Sequence, residues 1–389
     1  MWIAPPPYGV ASKEVRVKPP FPLAVAAVLL LGACGDDTGR ATSAGPPPRD
    51  PIHLVVSGTD REMGLQHGKA LAKEIREEVG PRLKARFRAV AKDDADAKFL
   101  EASCRTYTGM TKPLLPSEVQ DELAGIAEGS GVPEEDILLL EVMRDGLRFH
   151  VDAPPLLEAA FASPPGSGDT EEDLSQYIVT AWDGAGGDEA SGHALLLERQ
   201  PVEGSPWLVV TWPGGLGALA GVTRWGFAAQ CETPSEKAAM SLHGVPFGIG
   251  FARALRAADG PEDLIRRTPP RNGNRVVAMS SGGGHVREVA LLASAGPNSH
   301  EHVDKNYWVL LPAGPGGADP RAVAMDERLG GYPQRPGEGA GIALAVSGRV
   351  SQKATVLMLA PGAIWWHRGV RADGTDVSPP LSFLFPSPK

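Results

Sequence analysis

Cysteine is nearly absent: 389 residues contain three, at positions 34, 104 and 231. Three scattered thiols cannot close a structural zinc site, which takes four N or S ligands at short spacing, nor form the framework of a disulfide-rich miniprotein. Aromatics are sparse at 6%, and basic residues are outnumbered, with 38 Lys and Arg against 47 Asp and Glu for a formal charge of −9. Non-specific nucleic-acid binding draws on a basic surface that displaces phosphate counterions, so this balance excludes a nucleic-acid partner of that kind. Also missing are a βαβ rhythm, a P-loop and a dinucleotide fingerprint; Gly215-Leu216-Gly217 lacks the third glycine and the following helix. What is present, 42% hydrophobic and 22% charged residues, is the composition of a globular chain able to bury a core.

The apolar run Phe21–Leu31 is too short to span a bilayer comfortably and follows Lys13, Arg16 and Lys18, the order of a secretory signal peptide. It ends Leu31-Gly32-Ala33-Cys34, the form of a bacterial lipobox. This predicts removal of residues 1–33 and acylation of the Cys34 sulfur; the alternatives are a transmembrane anchor or a plain secretory signal beside a chance cysteine. Residues 34–51, rich in Gly, Ser, Thr and Pro, read as a flexible tether. The chain from Cys34 onward keeps 35 basic against 46 acidic residues, a formal charge of −11. Its expected location is the bacterial cell envelope, facing periplasm or cell surface, with the membrane as partner through lipidated Cys34. Cys104 and Cys231 are then the two thiols left to pair in an oxidising compartment, which spacing alone does not decide.

Residues 52–385 are expected to form one domain with a helical front (52–150), a linker (151–174) and a strand-rich back (175–385). In the front, Thr59-Asp60-Arg61-Glu62 has capping-box spacing, and its helix is expected to stop at Gly80-Pro81. A second box, Ser117-Glu118-Val119-Gln120, opens a helix that ends at Gly129-Ser130-Gly131. Pro133 precedes Glu134, Glu135 and Asp136, anions that suit the first turn of a third helix with Ile137–Val142 as its apolar body. The linker is dense in Pro, Gly, Ser and Asp. Beyond it, short β-rich runs are expected at 177–182, 194–197, 207–212, 225–230, 275–279, 286–292, 306–311, 342–346, 354–359 and 364–367. Only 247–258 and 261–267 break the series with helical spacing. The fold class is therefore α+β: two stacked, mainly antiparallel sheets flanked by helices.

Three stretches, Ser57–Gly68, Glu122–Val132 and 354–359 with Ile364-Trp365-Trp366, together resemble the acyl-coenzyme A:6-aminopenicillanic acid (isopenicillin N) acyltransferase family, whose relatives are acyltransferases and amide hydrolases of the N-terminal-nucleophile class. Ser57-Gly58-Thr59-Asp60-Arg61-Glu62-Met63-Gly64-Leu65-Gln66-His67-Gly68 is similar to the family's opening motif. Glu122-Leu123-Ala124-Gly125-Ile126-Ala127-Glu128-Gly129-Ser130-Gly131-Val132 is similar to its central one, and 354–359 with Ile364-Trp365-Trp366 to its closing strand pair. The resemblance implies an αββα sandwich and an acyl or amide substrate. It also implies self-cleavage before a nucleophile at the start of the first strand, whose freed amine then acts as base.

The chain departs from the family at that nucleophile. No cysteine lies between Cys104 and Cys231, and the aligned position is Gln176 or, one residue earlier, Ser175, with Leu174 before it. Ser175 is the candidate replacement nucleophile; a loop or cap serine is the plain alternative. Arg199 aligns with a family arginine and is expected to bind a carboxylate or cap its strand. The family's Asn and Asp near there are replaced, since Glu198-Arg199-Gln200-Pro201-Val202 stands in that place. Cys231 reads as a small buried residue, Cys104 as core or a disulfide partner, and His67 as packing support. His300-Glu301-His302 puts two imidazoles on one strand face without a third ligand. Ser280-Ser281-Gly282-Gly283-Gly284 reads as a hairpin turn. No cofactor and no metal is expected. The reading is a lipid-anchored acyltransferase or amide hydrolase with a degenerate site, or else a non-catalytic binding or scaffold lipoprotein on the same fold.

Overall fold

The computed structural model describes residues 50–147, 157–161, 177–182, 194–223, 227–232, 244–268, 275–282, 285–292, 299–302, 307–310, 355–360, 363–368 and 381–384. Cys34, Ser175, Gln176 and the expected strand at 342–346 lie outside them.

The chain enters on β1 (Ile52–Gly58), a strand where the sequence reading placed only helix, and turns into α1 (Asp60–Ala70). The turn needs Gly58: its φ of 119° is in the left-handed region, and a Cβ there would lie 2.6 Å from a Glu62 carboxylate oxygen. The expected capping box forms, with the Thr59 hydroxyl accepting from the Glu62 N–H and Glu62 accepting from the Thr59 N–H. Gly80-Pro81 does not stop the helical path. After α2 (Ala72–Glu77), a π-helical turn over Glu78–Arg82 takes up Pro81 and leads directly into α3 (Leu83–Val90). The wider turn accommodates a ring that would clash inside a regular α-helix. Glu78, buried at this point, is paired with Arg82 at 2.8 Å and Arg86 at 3.0 Å.

Asp93 caps α4 (Asp94–Thr111) by accepting from the Ala95 and Asp96 N–H groups. A short 3₁₀ turn (Lys112–Leu114) leads to α5 (Ser117–Ser130). Its N-cap is Pro116 rather than Ser117, so the second expected box does not form; Gln120 instead donates to the Leu115 carbonyl. Gly131, at φ 71°, ends α5 in a left-handed cap, and α6 (Glu134–Leu147) follows with its acidic first turn as expected.

The strands are β2 (Leu157–Phe161), β3 (Tyr177–Trp182), β4 (Leu195–Pro201), β5 (Trp207–Thr211), β6 (Ala220–Thr223), β7 (Phe227–Glu232), β8 (Arg275–Gly282), β9 (His285–Leu292), β10 (Ser299–His302), β11 (Tyr307–Leu310), β12 (Thr355–Ala360), β13 (Ala363–Arg368) and β14 (Leu381–Leu384), with α7 (Phe247–Ala257) and α8 (Pro261–Arg267) between β7 and β8. β2 lies inside the stretch read as linker, so the 151–174 boundary is corrected there: Leu157–Phe161 pairs with both β3 and β11. One seven-stranded sheet has the order β1-β4-β5-β6-β7-β8-β9 and the other β10-β11-β2-β3-β12-β13-β14. Among the described strands, only the β1–β4 pairing is parallel. β8 pairs antiparallel with β9, with a register shift at Ser280/Ser281; Ser280–Gly282 of the expected turn belong to β8, and Gly283 and Gly284 lie outside the described residues.

Both faces of the first sheet are buried. Leu197, Val209, Ala229 and Ala278 join the cluster built from the helices, whereas Leu196, Leu208, Val222 and Ala228 are equally buried on the opposite face. β3 and β12 of the second sheet approach β6, β7 and β8 of the first.

The helical layer is fixed by four glycines. A Cβ on Gly64 would lie 2.2 Å from the Glu122 carbonyl oxygen, on Gly68 2.4 Å from that of Ile126, on Gly125 2.2 Å from that of Arg61, and on Gly129 2.5 Å from that of Leu65. α1 and α5 therefore touch backbone to backbone. We expect Gly64→Ala or Gly125→Ala to cost about 3 kcal/mol, because neither backbone can yield without parting the helices. Gly109→Ala, on α4 with nothing within 4 Å of the added carbon, should stabilise by up to about 1 kcal/mol through helix propensity. Urea unfolding of the three variants checks this; equal midpoints for Gly64→Ala and wild type would refute the contact.

Candidate functional site

Polar groups converge where α1, α5 and α7 lie on the first sheet. Arg199, on β4, is 1% exposed. Its Nε and Nη2 donate to Glu122 Oε1 on α5 at 3.1 and 2.7 Å. Strand register puts Arg199 beside Trp207 and Trp207 beside Thr223. The Arg199 guanidinium stands 5.7 Å from the Trp207 ring centroid, and that of Arg256 from α7 stands 5.2 Å from it. Arg256 is itself paired with Asp60 in the first turn of α1, and Arg253 with Glu118 in the first turn of α5. Guanidinium and carboxylate thus tie three helices and the sheet together. Among the described residues, Arg199 Nη1, Trp207 Nε1 and Thr223 Oγ1 are buried without a hydrogen-bond partner.

The second convergence is the β5–β6 loop. His67 Nε2 accepts from the Gly214 N–H at 3.1 Å, so the proton of the neutral ring sits on Nδ1, which is buried and has no partner among the described residues. Burial, and secondarily the Arg199 charge, push the imidazole pKa down to about 3. Glu141 on α6 accepts from the Leu216 and Gly217 N–H groups at 2.7 and 2.8 Å, and the Thr211 hydroxyl donates to the Gly217 carbonyl. One helical turn on from Glu141, Asp145 accepts from the Phe247 N–H at the start of α7. The amides of Leu216 and Gly217 in this glycine-rich loop are thus taken by the protein's own carboxylate.

The two cysteines of the described region are both buried and are not bonded to each other. Burial, aided by the Glu101 charge, pushes the Cys104 thiol up to about 11, which makes it inert. Cys231 Sγ donates to the Ala218 carbonyl at 3.2 Å and belongs to the helix-side cluster. Arg199 shares that side, since its neighbours in the register row, Val56 and Trp207, are in the same cluster. Neither is therefore turned toward β3, the strand that begins two residues after Ser175. His300 and His302 alternate along β10, at one edge of the second sheet; their side chains lie outside the described residues. Among those described, no three His, Cys, Asp or Glu side chains are grouped as metal ligands.

The sequence reading missed Glu141 and Asp145. Its one available signal was a carboxylate inside the apolar run Ile137–Met143, where an unpaired charge would be costly. Glu122 was in view only as part of a motif.

No family model matches the chain, and no curated protein matches it. Among solved structures it is similar to a Caenorhabditis elegans N-acylethanolamine-hydrolyzing acid amidase ortholog, at 12% identity and a TM-score of 0.34, covering 59% of this chain and 100% of that one.

His67 supplies a pH test. Its folded pKa is depressed from 6.5 to about 3, so the unfolded chain binds its proton first. The stability contributed is complete above pH 6.5 and is lost as pH falls toward 3, by about 1.4 kcal/mol per pH unit within that window. In His67→Gln, which keeps an acceptor for Gly214, the fall between pH 6 and 4 should be shallower than in wild type by that slope. Urea titrations at stepped pH measure it, and parallel curves would show that His67 does not carry the effect.

Proposed function

We propose that the protein is a lipid-anchored acyltransferase or amide hydrolase of the N-terminal-nucleophile type, with Ser175 standing where the family's cysteine is expected. The observation that carries this reading is the setting of β3. It begins two residues after Ser175, lies centrally in its sheet between β2 and β12, and approaches β7 and β8 of the other sheet. An αββα sandwich is supported by the apolar residues buried on both faces of the first sheet and by the helices packed on one of them.

In this reading Ser175 Oγ attacks the Leu174 carbonyl carbon, the amide becomes an ester, and water splits the ester to a Leu174 carboxylate and a free Ser175 amine. That amine then takes the proton of its own hydroxyl as the oxygen attacks a substrate acyl group. Arg199, neutralised by Glu122, is given a positioning role in holding β4 against α5. The purified protein should run as two fragments, the C-terminal one starting at Ser175 by N-terminal sequencing, and Ser175→Ala should leave one uncut chain.

The alternative, a non-catalytic binding or scaffold lipoprotein with a small acyl or amide ligand, is favoured by the burial of both described cysteines and by the hydrogen bond of Cys231 to the Ala218 carbonyl. An intact band, unchanged by Ser175→Ala, selects it. Anchoring is tested separately. Cys34→Ala should move the protein from the membrane to the soluble fraction, and continued retention would defeat the lipobox assignment.

A further inference from the structure

α4 carries an outward face that has no partner among the described residues. Phe99 is 68% exposed, Met110 48% and, just past the helix end, Leu114 55%. At 100° per residue these fall on one stripe with Ala102, Thr106 and Pro113, all exposed and none charged. The hydroxyls of Ser103 and Thr106 donate back to the Phe99 and Ala102 carbonyls, so their protons are used within the helix. Lys98, Arg105 and Lys112 run at seven-residue spacing along one flank. Two of these cations are already held by acidic groups, Arg105 by Glu101 and Asp136, Lys112 by Glu134 and Glu135.

We propose that this face rests on the surface of a lipid bilayer. From Phe99 to Leu114 the stripe is about 23 Å long and about 10 Å wide, roughly 230 Å², well under the ~800 Å² per partner of a stable protein interface, so a second copy is a poor occupant. A bilayer needs no matching surface, and a few apolar side chains suffice when an acyl chain already supplies the first attachment. The proposal rests on the Cys34 anchor. The residues between it and β1, Gly35–Pro51, reach at most about 60 Å, which keeps the domain within touching distance. Because Arg105 and Lys112 are neutralised by carboxylates, the contact is apolar and requires no anionic lipid.

The test uses the acylated full-length product reconstituted in phosphatidylcholine vesicles, with Met110→Cys carrying an environment-sensitive dye; the exposed Lys69→Cys on α1 is the control. The expected result is a blue-shifted emission at position 110, quenched by spin-labelled lipid several-fold more than at 69 and unchanged by 0.5 M salt. Adding Phe99→Asp and Leu114→Asp should reverse it, with circular dichroism reporting that the helices persist. Equal quenching at both positions overturns the proposal. So does a blue shift that appears without vesicles as protein concentration rises, which would make the face a contact between copies. The anchor is read independently by fractionating Cys34→Ala. Release of that variant together with a water-exposed dye in the acylated protein leaves the anchor standing and removes the bilayer face. Retention removes the anchor and, with it, the proposal that rests on it.

Discussion

α1 and α5 meet at carbonyl oxygens where side chains would normally stand, and Gly64, Gly68, Gly125 and Gly129 are what permit it. The spacing of four residues puts each pair of glycines on one helix face. With the two axes brought this close, Glu122 on α5 reaches Arg199 on β4, His67 on α1 reaches the loop after β5, and Asp60 at the start of α1 meets Arg256 on α7. A separation wider by the thickness of a methyl group would break these short hydrogen bonds, because their geometry tolerates only a few tenths of an ångström. The family-like motifs are thus, in physical terms, the instructions for one helix crossing.

Buried charge does the rest of the joining. Glu141 and Asp145 reach from α6 to the β5–β6 loop and to the start of α7, while Glu78 is held by two arginines inside a π-helical turn. Each carboxylate answers backbone N–H groups or guanidinium donors that would otherwise be buried unmet, which is costly. These groups lie among polar residues that resemble an active site in composition. Arg199, His67, Glu122 and Trp207 are the residue types of a catalytic cluster, yet they brace helices against the sheet from the side away from β3.

The parts of the fold that were legible in the sequence are those specified within a few residues. The Thr59 box, the acidic start of α6, the bounds of β3 at Tyr177–Trp182 and the helix Pro261–Arg267 all depend on local capping or a self-contained apolar run. Misreadings occur where a distant segment decides. Gly80-Pro81 reads as a stop because Pro81 breaks an α-helix; a wider turn, with Glu78 buried between its arginines, carries the chain through. Leu157–Phe161 reads as linker by its neighbours' composition, but β3 and β11 pair with it. β1, in a stretch read as helical, and the four-residue β6 are fixed as strands by pairing with β4, β5 and β7.

The sequence by itself determined the helical front and strand-rich back, the scarcity of cysteine that removes the expected nucleophile, and the glycine spacing that turned out to be a helix contact. These are properties of residue type and interval, and they hold whatever the chain packs against. Only the tertiary structure decided which face each polar residue occupies. Arg199 meets a carboxylate as expected, but the carboxylate is Glu122 of its own chain; Cys104 and Cys231 remain separate thiols; and the amides of the glycine-rich loop are already taken by Glu141. The reason is that a strand alternates its side chains between two faces, while the identity of whatever covers each face comes from segments remote in the chain.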